Sequence, residues 1–103
     1  MEKNKGDRPI GPDPEKIKAI IDVLRDYPEG VWLRLLAERA NLAESTVALY
    51  VDKFLEFFVE SGGIKRPSGG YLGVRIIRFK PGKENTSLNN VMEYWELKRK
   101  IKG

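Results

Sequence analysis

The stretch from Leu33 to Phe58 constrains this chain most, because it carries two helical apolar stripes with almost no chain between them. Leu33, Leu36, Ala37 and Ala40 fall on one face of a first helix. Val47, Tyr50, Val51, Phe54 and Phe58 fall on one face of a second, at the i, i+3, i+4, i+7 spacing of a buried stripe. A break of about four residues fits a helical hairpin whose second helix turns sharply away from the first. Such a turn needs a residue at positive φ, and Asn41 is the commonest choice after glycine. Ala37 is small where the two helices would cross, so their backbones can approach closely.

The segments on either side carry their own local signals. Asp13-Pro14-Glu15 is a helix start, with a capping carboxylate, a proline at the first helical position and an acid in the first turn. Ile17, Ile20, Ile21 and Leu24 form its buried stripe, and Tyr27-Pro28-Glu29-Gly30 ends it. Val31-Trp32 reads as a short strand leading into the second helix. Leu33 and Ala43 stand where a capping Ser or Thr is usual, and each missing cap costs about 1 kcal/mol. The third helix is expected from about Glu44 to Ser61, extended by Phe57, Phe58 and Val59 and stopped at Gly62-Gly63. A β-hairpin follows: Ile64-Lys65-Arg66, a turn at Pro67-Ser68-Gly69-Gly70, and a longer strand from Tyr71 to Lys80. Ile76 and Ile77 are adjacent and break the alternation, so both faces of that strand are partly covered or it carries a bulge.

Ala37, Asn41, Leu42 and Ser45-Thr46-Val47 resemble the helix-turn-helix motif of DNA-binding proteins, in register: a small residue, a Gly or Asn turn, an apolar residue, and a polar-polar-Val helix start. An ordinary antiparallel helix pair is the plainer reading of the same residues. The order helix, strand, helix, helix, strand, strand over residues 13–80 is similar to that of the winged helix family. The expected fold is therefore α+β: a winged helix-turn-helix, with a three-helix unit, a β-hairpin wing and an extra C-terminal helix. Residues 1–12, rich in Lys, Gly, Pro and Asn, are expected to form a disordered arm. The winged helix domain covers 13–82, and residues 83–103 form the added helix as a dimerisation element. Ser87 can cap that helix. Leu88, Val91, Met92 and Trp95 make one apolar face, and Tyr94, Leu97 and Ile101 a second, nearly opposite. A helix that packs on its own domain needs one face, so Tyr94, Leu97 and Ile101 are expected to meet a twin chain in a homodimer.

Composition removes several classes of function. Neither cysteine nor histidine occurs, which takes away thiolate metal sites, the commonest metal ligand and the commonest general base. No P-loop or dinucleotide fingerprint is present, and Gly69-Gly70-Tyr71-Leu72-Gly73 precedes a strand where a phosphate cradle needs a helix. The chain is expected to be neither an enzyme nor a cofactor or metal protein. No apolar run approaches the roughly 18 residues of a membrane span, so a cytoplasmic protein without membrane contact is expected. The absence of glutamine and a charged content of 33% lean towards a thermophile.

The placement of charge points to a partner. Residues 13–61 carry six basic and ten acidic groups, whereas residues 62–82 carry five basic groups and no acid. One-signed charge in one supersecondary element is a candidate phosphate footprint. The resemblance implies a transcription regulator that binds double-stranded DNA, with the third helix in the major groove and the wing on the backbone or in the minor groove. The residues that would carry this are Ser45, Thr46, Leu49 and Lys53 on the helix and Lys65, Arg66, Arg75, Arg78 and Lys80 on the wing. Leu49 stands where the family often has a polar or basic residue, with Asp52 and Glu56 beside it. The alternative is a protein-interaction winged helix in a transcription or replication assembly, whose partner would meet Leu49, Asp52 and Glu56. A third reading, single strands or RNA on Tyr71 and the wing arginines, follows from stacking chemistry.

Overall fold

The Asp13 carboxylate opens the first helix, accepting the Glu15 backbone N–H at 2.9 Å. In a computed structural model, which describes residues 11–69 and 71–102, helix α1 runs Pro14–Arg25. It buries Ile17, Ile20, Ile21, Val23 and Leu24. The Glu15 hydrogen bond, with Lys16 Nζ at 3.2 Å from the carboxylate, holds the Asp13 carboxyl below its ordinary value of 3.8. Its stabilisation is therefore present above the unfolded pKa and is lost as pH falls through the depressed folded one. Asparagine keeps the cap but does not titrate. Melts of wild type and Asp13→Asn between about pH 6 and 2 should accordingly draw together towards acid. A gap of constant size would show that the ionised carboxylate contributes nothing.

Strand β1 (Val31–Trp32) leads directly into α2 (Leu33–Ala40), which buries Leu36, Ala37 and Ala40. Asn41 adopts the expected left-handed conformation (φ 60°, ψ 45°), and its N–H with that of Leu42 closes the last turn on the carbonyls of Glu38 and Ala37. Helix α3 (Glu44–Lys53) follows, burying Val47, Tyr50 and Val51. Neither α2 nor α3 has a side-chain cap, since Trp32 and Ala43 occupy those positions. Leu33 is half-buried against the core, which offsets part of that cost. The Asp13 N–H donates to Tyr50 Oη at 2.9 Å and ties the start of α1 to α3.

Strands β2 (Val59–Lys65) and β3 (Tyr71–Phe79) form the wing, and β1 pairs antiparallel on the other edge of β3, giving the order β1-β3-β2. With α1-β1-α2-α3-β2-β3 in this arrangement, the fold is a winged helix-turn-helix, with α4 (Leu88–Lys102) added.

Two expectations about the hairpin need correction. Helix α3 stops at Lys53, two turns before Ser61. Phe54 caps it, the chain turns through Phe54 to Phe58, and residues read as helix become β2. The reason lies in β3, whose nine residues carry backbone groups that a three-residue partner would leave unpaired. Pairing from Val59↔Phe79 to Lys65↔Tyr71 satisfies them. Gly62-Gly63 is therefore strand rather than helix stop. Gly63, at φ 132°, stands alone opposite Gly73 to Arg75, where the register shifts between Gly62↔Ile76 and Ile64↔Leu72. Both faces of β3 are covered at the isoleucine pair: Ile77 is fully buried, and Ile76 lies over Gly30 on the other side.

Helix α4 has a reciprocal cap. Ser87 Oγ accepts the Asn90 N–H at 3.2 Å, and Asn90 Oδ1 accepts the Ser87 N–H at 2.9 Å. Val91 is fully buried, and Leu88, Met92 and Trp95 pack on the core around it. Arg25 donates to the Thr86 carbonyl at 2.6 Å, which fixes the linker against the end of α1. The arm expected over residues 1–12 lies outside the described residues except for Gly11 and Pro12. Pro12 is buried, and Gly11 lies close against the Trp95 indole. No helix among the described residues is long and apolar enough to cross a membrane.

Candidate nucleic-acid interface

The apolar stripe of α3 leaves its opposite face to solvent. Ser45 is exposed, Thr46 half-buried, and Leu49 retains 52% of its accessible surface. Lys53 ends the face, its ammonium 5.6 Å from the centre of the Phe54 ring. These four residues stand together as the sequence places them.

The two acids near that face are not bare. Asp52 receives the guanidinium of Arg75, which also donates to Ser61 Oγ from Nε at 3.1 Å and from Nη2 at 3.0 Å. The Arg75 side chain is only 10% exposed. It leaves β3 at the register shift, on the helix-facing side of the wing, so one arginine joins α3, β2 and β3. Glu56, in the turn after α3, accepts from Lys98 of α4 at 2.5 Å. That hydrogen bond holds the Lys98 ammonium above its ordinary range.

The wing basics divide into groups. Arg66 is exposed at the turn, where its carbonyl accepts the Gly69 N–H at 3.0 Å. Of Lys65 only the backbone is described. Arg78 lies on the sheet face away from α3, alternating with buried Ile77 and Phe79, and it pairs with Glu60 at 2.7 Å. Lys80 is half-buried at the base of the wing, its N–H on the Phe58 carbonyl at 2.9 Å. The candidate residues thus do not form one surface: Arg78 lies on the sheet face away from α3, and Arg75 is engaged within the fold.

Sequence reasoning missed Ser61, Glu60 and Lys98. The first two fall at the expected end of the third helix, and Lys98 lies outside the apolar faces by which the last helix is recognised. Exposed Ile64 and Val74, on the two wing strands, were also not singled out. Tyr94 was expected on a free face, but its ring stacks on Phe57 (centroids 4.6 Å apart) and meets the edge of Phe58. Leu97 and Ile101 do lie open, at 60% and 82% exposure.

No protein-family model matches the chain, and no curated protein matches it in sequence. Among solved structures it is similar to a possible transcriptional regulator from Methanosarcina mazei Go1, with 19% identity, 81% of this chain and 72% of that one covered, and a TM-score of 0.47. It is also similar to the PcaV transcriptional regulator from Streptomyces coelicolor, determined with its natural ligand, with 19% identity, coverage of 88% and 74%, and a TM-score of 0.49. At these values neither neighbour bears on function, and the fold assignment rests on the element order and strand pairing above.

Proposed function

We propose that this protein is a transcription regulator that binds double-stranded DNA, presenting α3 to the major groove and the tip of the wing to the backbone. The observation that carries this reading is the state of the acids beside α3. Of the acids that would repel phosphates if free, Asp52 and Glu56 are each neutralised by a basic group of the same chain, Arg75 and Lys98, which leaves Glu44 in the first turn of α3 without an ion-pair partner among the described residues. Ser45, Thr46, Leu49 and Lys53 remain as the contact surface. Hydroxyls there can donate to phosphates or base edges, and Leu49 suits a thymine methyl. The same neutralisation counts against a protein partner recognised through Asp52 and Glu56.

Arg75 has a positioning role in this reading. It holds the wing at a fixed distance from α3 and masks Asp52, while Arg66, Lys65 and Lys53 make the phosphate contacts. Two to four such contacts per chain give a slope of log affinity against log salt of roughly 2–4.

Titration of a labelled random duplex at about 50 and 200 mM salt tests this. Arg66→Ala should weaken all sequences alike and lower the slope by about 1. Arg75→Ala should weaken binding with the slope unchanged, because no counterion-releasing contact is lost. An Arg75→Ala slope that drops as far as that of Arg66→Ala would make Arg75 a phosphate ligand. Changes at Ser45 or Leu49 should alter which sequence is preferred, by about 1–3 kcal/mol per base pair. Absence of duplex binding at about 50 mM salt would remove the reading.

A further inference from the structure

The outer side of α4 carries a stripe made of Asn90, Tyr94, Leu97 and Ile101, spaced four, three and four residues apart. That is the spacing of a coiled-coil seam, and at 100° per residue the four lie within about 60° of one another. The first half of the stripe is concave. A groove of about 430 Å³ opens there, lined by Phe57, Phe58, Lys83, Asn90, Tyr94 and Leu97. The second half is a ridge, with Leu97 and Ile101 standing in solvent. One helix therefore offers a hollow and, one to two turns further on, the apolar side chains to fill one.

We propose that α4 pairs antiparallel with α4 of a second copy of this chain, each ridge seated in the other's groove. An antiparallel alignment that sets Tyr94 opposite Leu97 also sets Asn90 opposite Ile101, in both directions, as a twofold axis requires. The same alignment places Glu93 beside Lys100 of the other copy, along one edge of the seam. Neither Glu93 nor Lys100 has an ion-pair partner among the described residues, so both charges are available. A parallel alignment fits worse. It sets Ile101 against Ile101, leaves the groove at Tyr94 unfilled, and brings Glu93 towards Lys98, which Glu56 already holds at 2.5 Å. Tyr94 serves as the floor of the groove, fixed there by its stack on Phe57.

This inference does not depend on nucleic-acid binding, and it is tested on the full chain without DNA. Sedimentation equilibrium from about 1 to 100 µM should show a monomer–dimer equilibrium for the wild type. Ile101→Glu should give a monomer with an unchanged far-ultraviolet circular dichroism spectrum. By twofold symmetry each charge reversal, Glu93→Lys or Lys100→Glu, turns two attractive pairs into two repulsive ones. Each alone should weaken the dimer about tenfold, and the two together should return it to within about threefold of wild type. A wild type that stays monomeric at about 100 µM, or an Ile101→Glu variant that still dimerises, overturns the proposal. So does a double reversal as weak as either single one.

Discussion

Replacing Phe54 with alanine is expected to cost about 3–5 kcal/mol, within the range seen for large buried aromatics. The ring sits where α3 ends, with the edges of Tyr50 and Trp95 at centroid distances of 5.0 and 5.2 Å. It is the piece through which α3 and α4 touch the same core. Its loss leaves Trp95 without a partner on one side and removes the residue that ends α3. A domain of this size has about 5–15 kcal/mol in total. The melting temperature should fall by more than about 12 °C, at about 4–8 °C per kcal/mol. A fall below about 4 °C would show that Phe54 is peripheral.

The second large effect is expected at Gly30, on the approach to β1. Its φ is 119°, and a Cβ there would stand 2.6 Å from Cγ2 of Ile76. That methyl is attached directly to the Ile76 Cβ and cannot swing aside without a change of rotamer. Gly30→Ala therefore combines a backbone cost of about 1–3 kcal/mol with an overpacking cost of similar size. The sum is about 2–5 kcal/mol, read as a shift in the urea midpoint with m unchanged. A double-mutant cycle with Ile76→Ala separates the two parts, because removing the methyl relieves the collision and leaves the backbone cost. Absence of coupling between the two sites would place the whole effect in φ.

The elements that the sequence specifies locally are the ones read correctly from it. Asp13-Pro14 sets a helix start, Asn41 sets a left-handed turn, and the stripe of α1 needs no distant residue to be recognised. The end of α3 was illegible for a physical reason. Phe54, Phe58 and Val59 are compatible with a helical stripe, and what makes Val59 a strand is the pairing demand of β3, some twenty residues on. Glu60 was grouped with helical acids on the same misreading, although it faces Arg78 across the wing. The electrostatics of the α3 face were hidden more deeply. Asp52 and Arg75 are 23 positions apart, and Glu56 and Lys98 are 42 apart. A charge count along the chain registers acids on and after α3 and bases elsewhere, and it has no means of registering that Asp52 and Glu56 are paired in space. The stack of Tyr94 on Phe57 belongs to the same class, since a helical projection of α4 knows nothing of the turn after α3.

The strand order β1-β3-β2 has a bearing on how the chain assembles. The hairpin of β2 and β3 closes over a tight turn, a short loop with a small entropic cost. Val31 and Trp32 instead wait for Ile77 and Ile76, which follow only after α2, α3 and β2 have been made. On a growing polypeptide the three helices can collapse first, with the backbone groups of β1 still hydrated. The sheet is then completed from its middle, because β3 is the last strand synthesised and the one both others need. The pairing of Val31 with Ile77 is thus the contact that closes the longest stretch of chain in the sheet, and the helical contacts and the hairpin are local beside it.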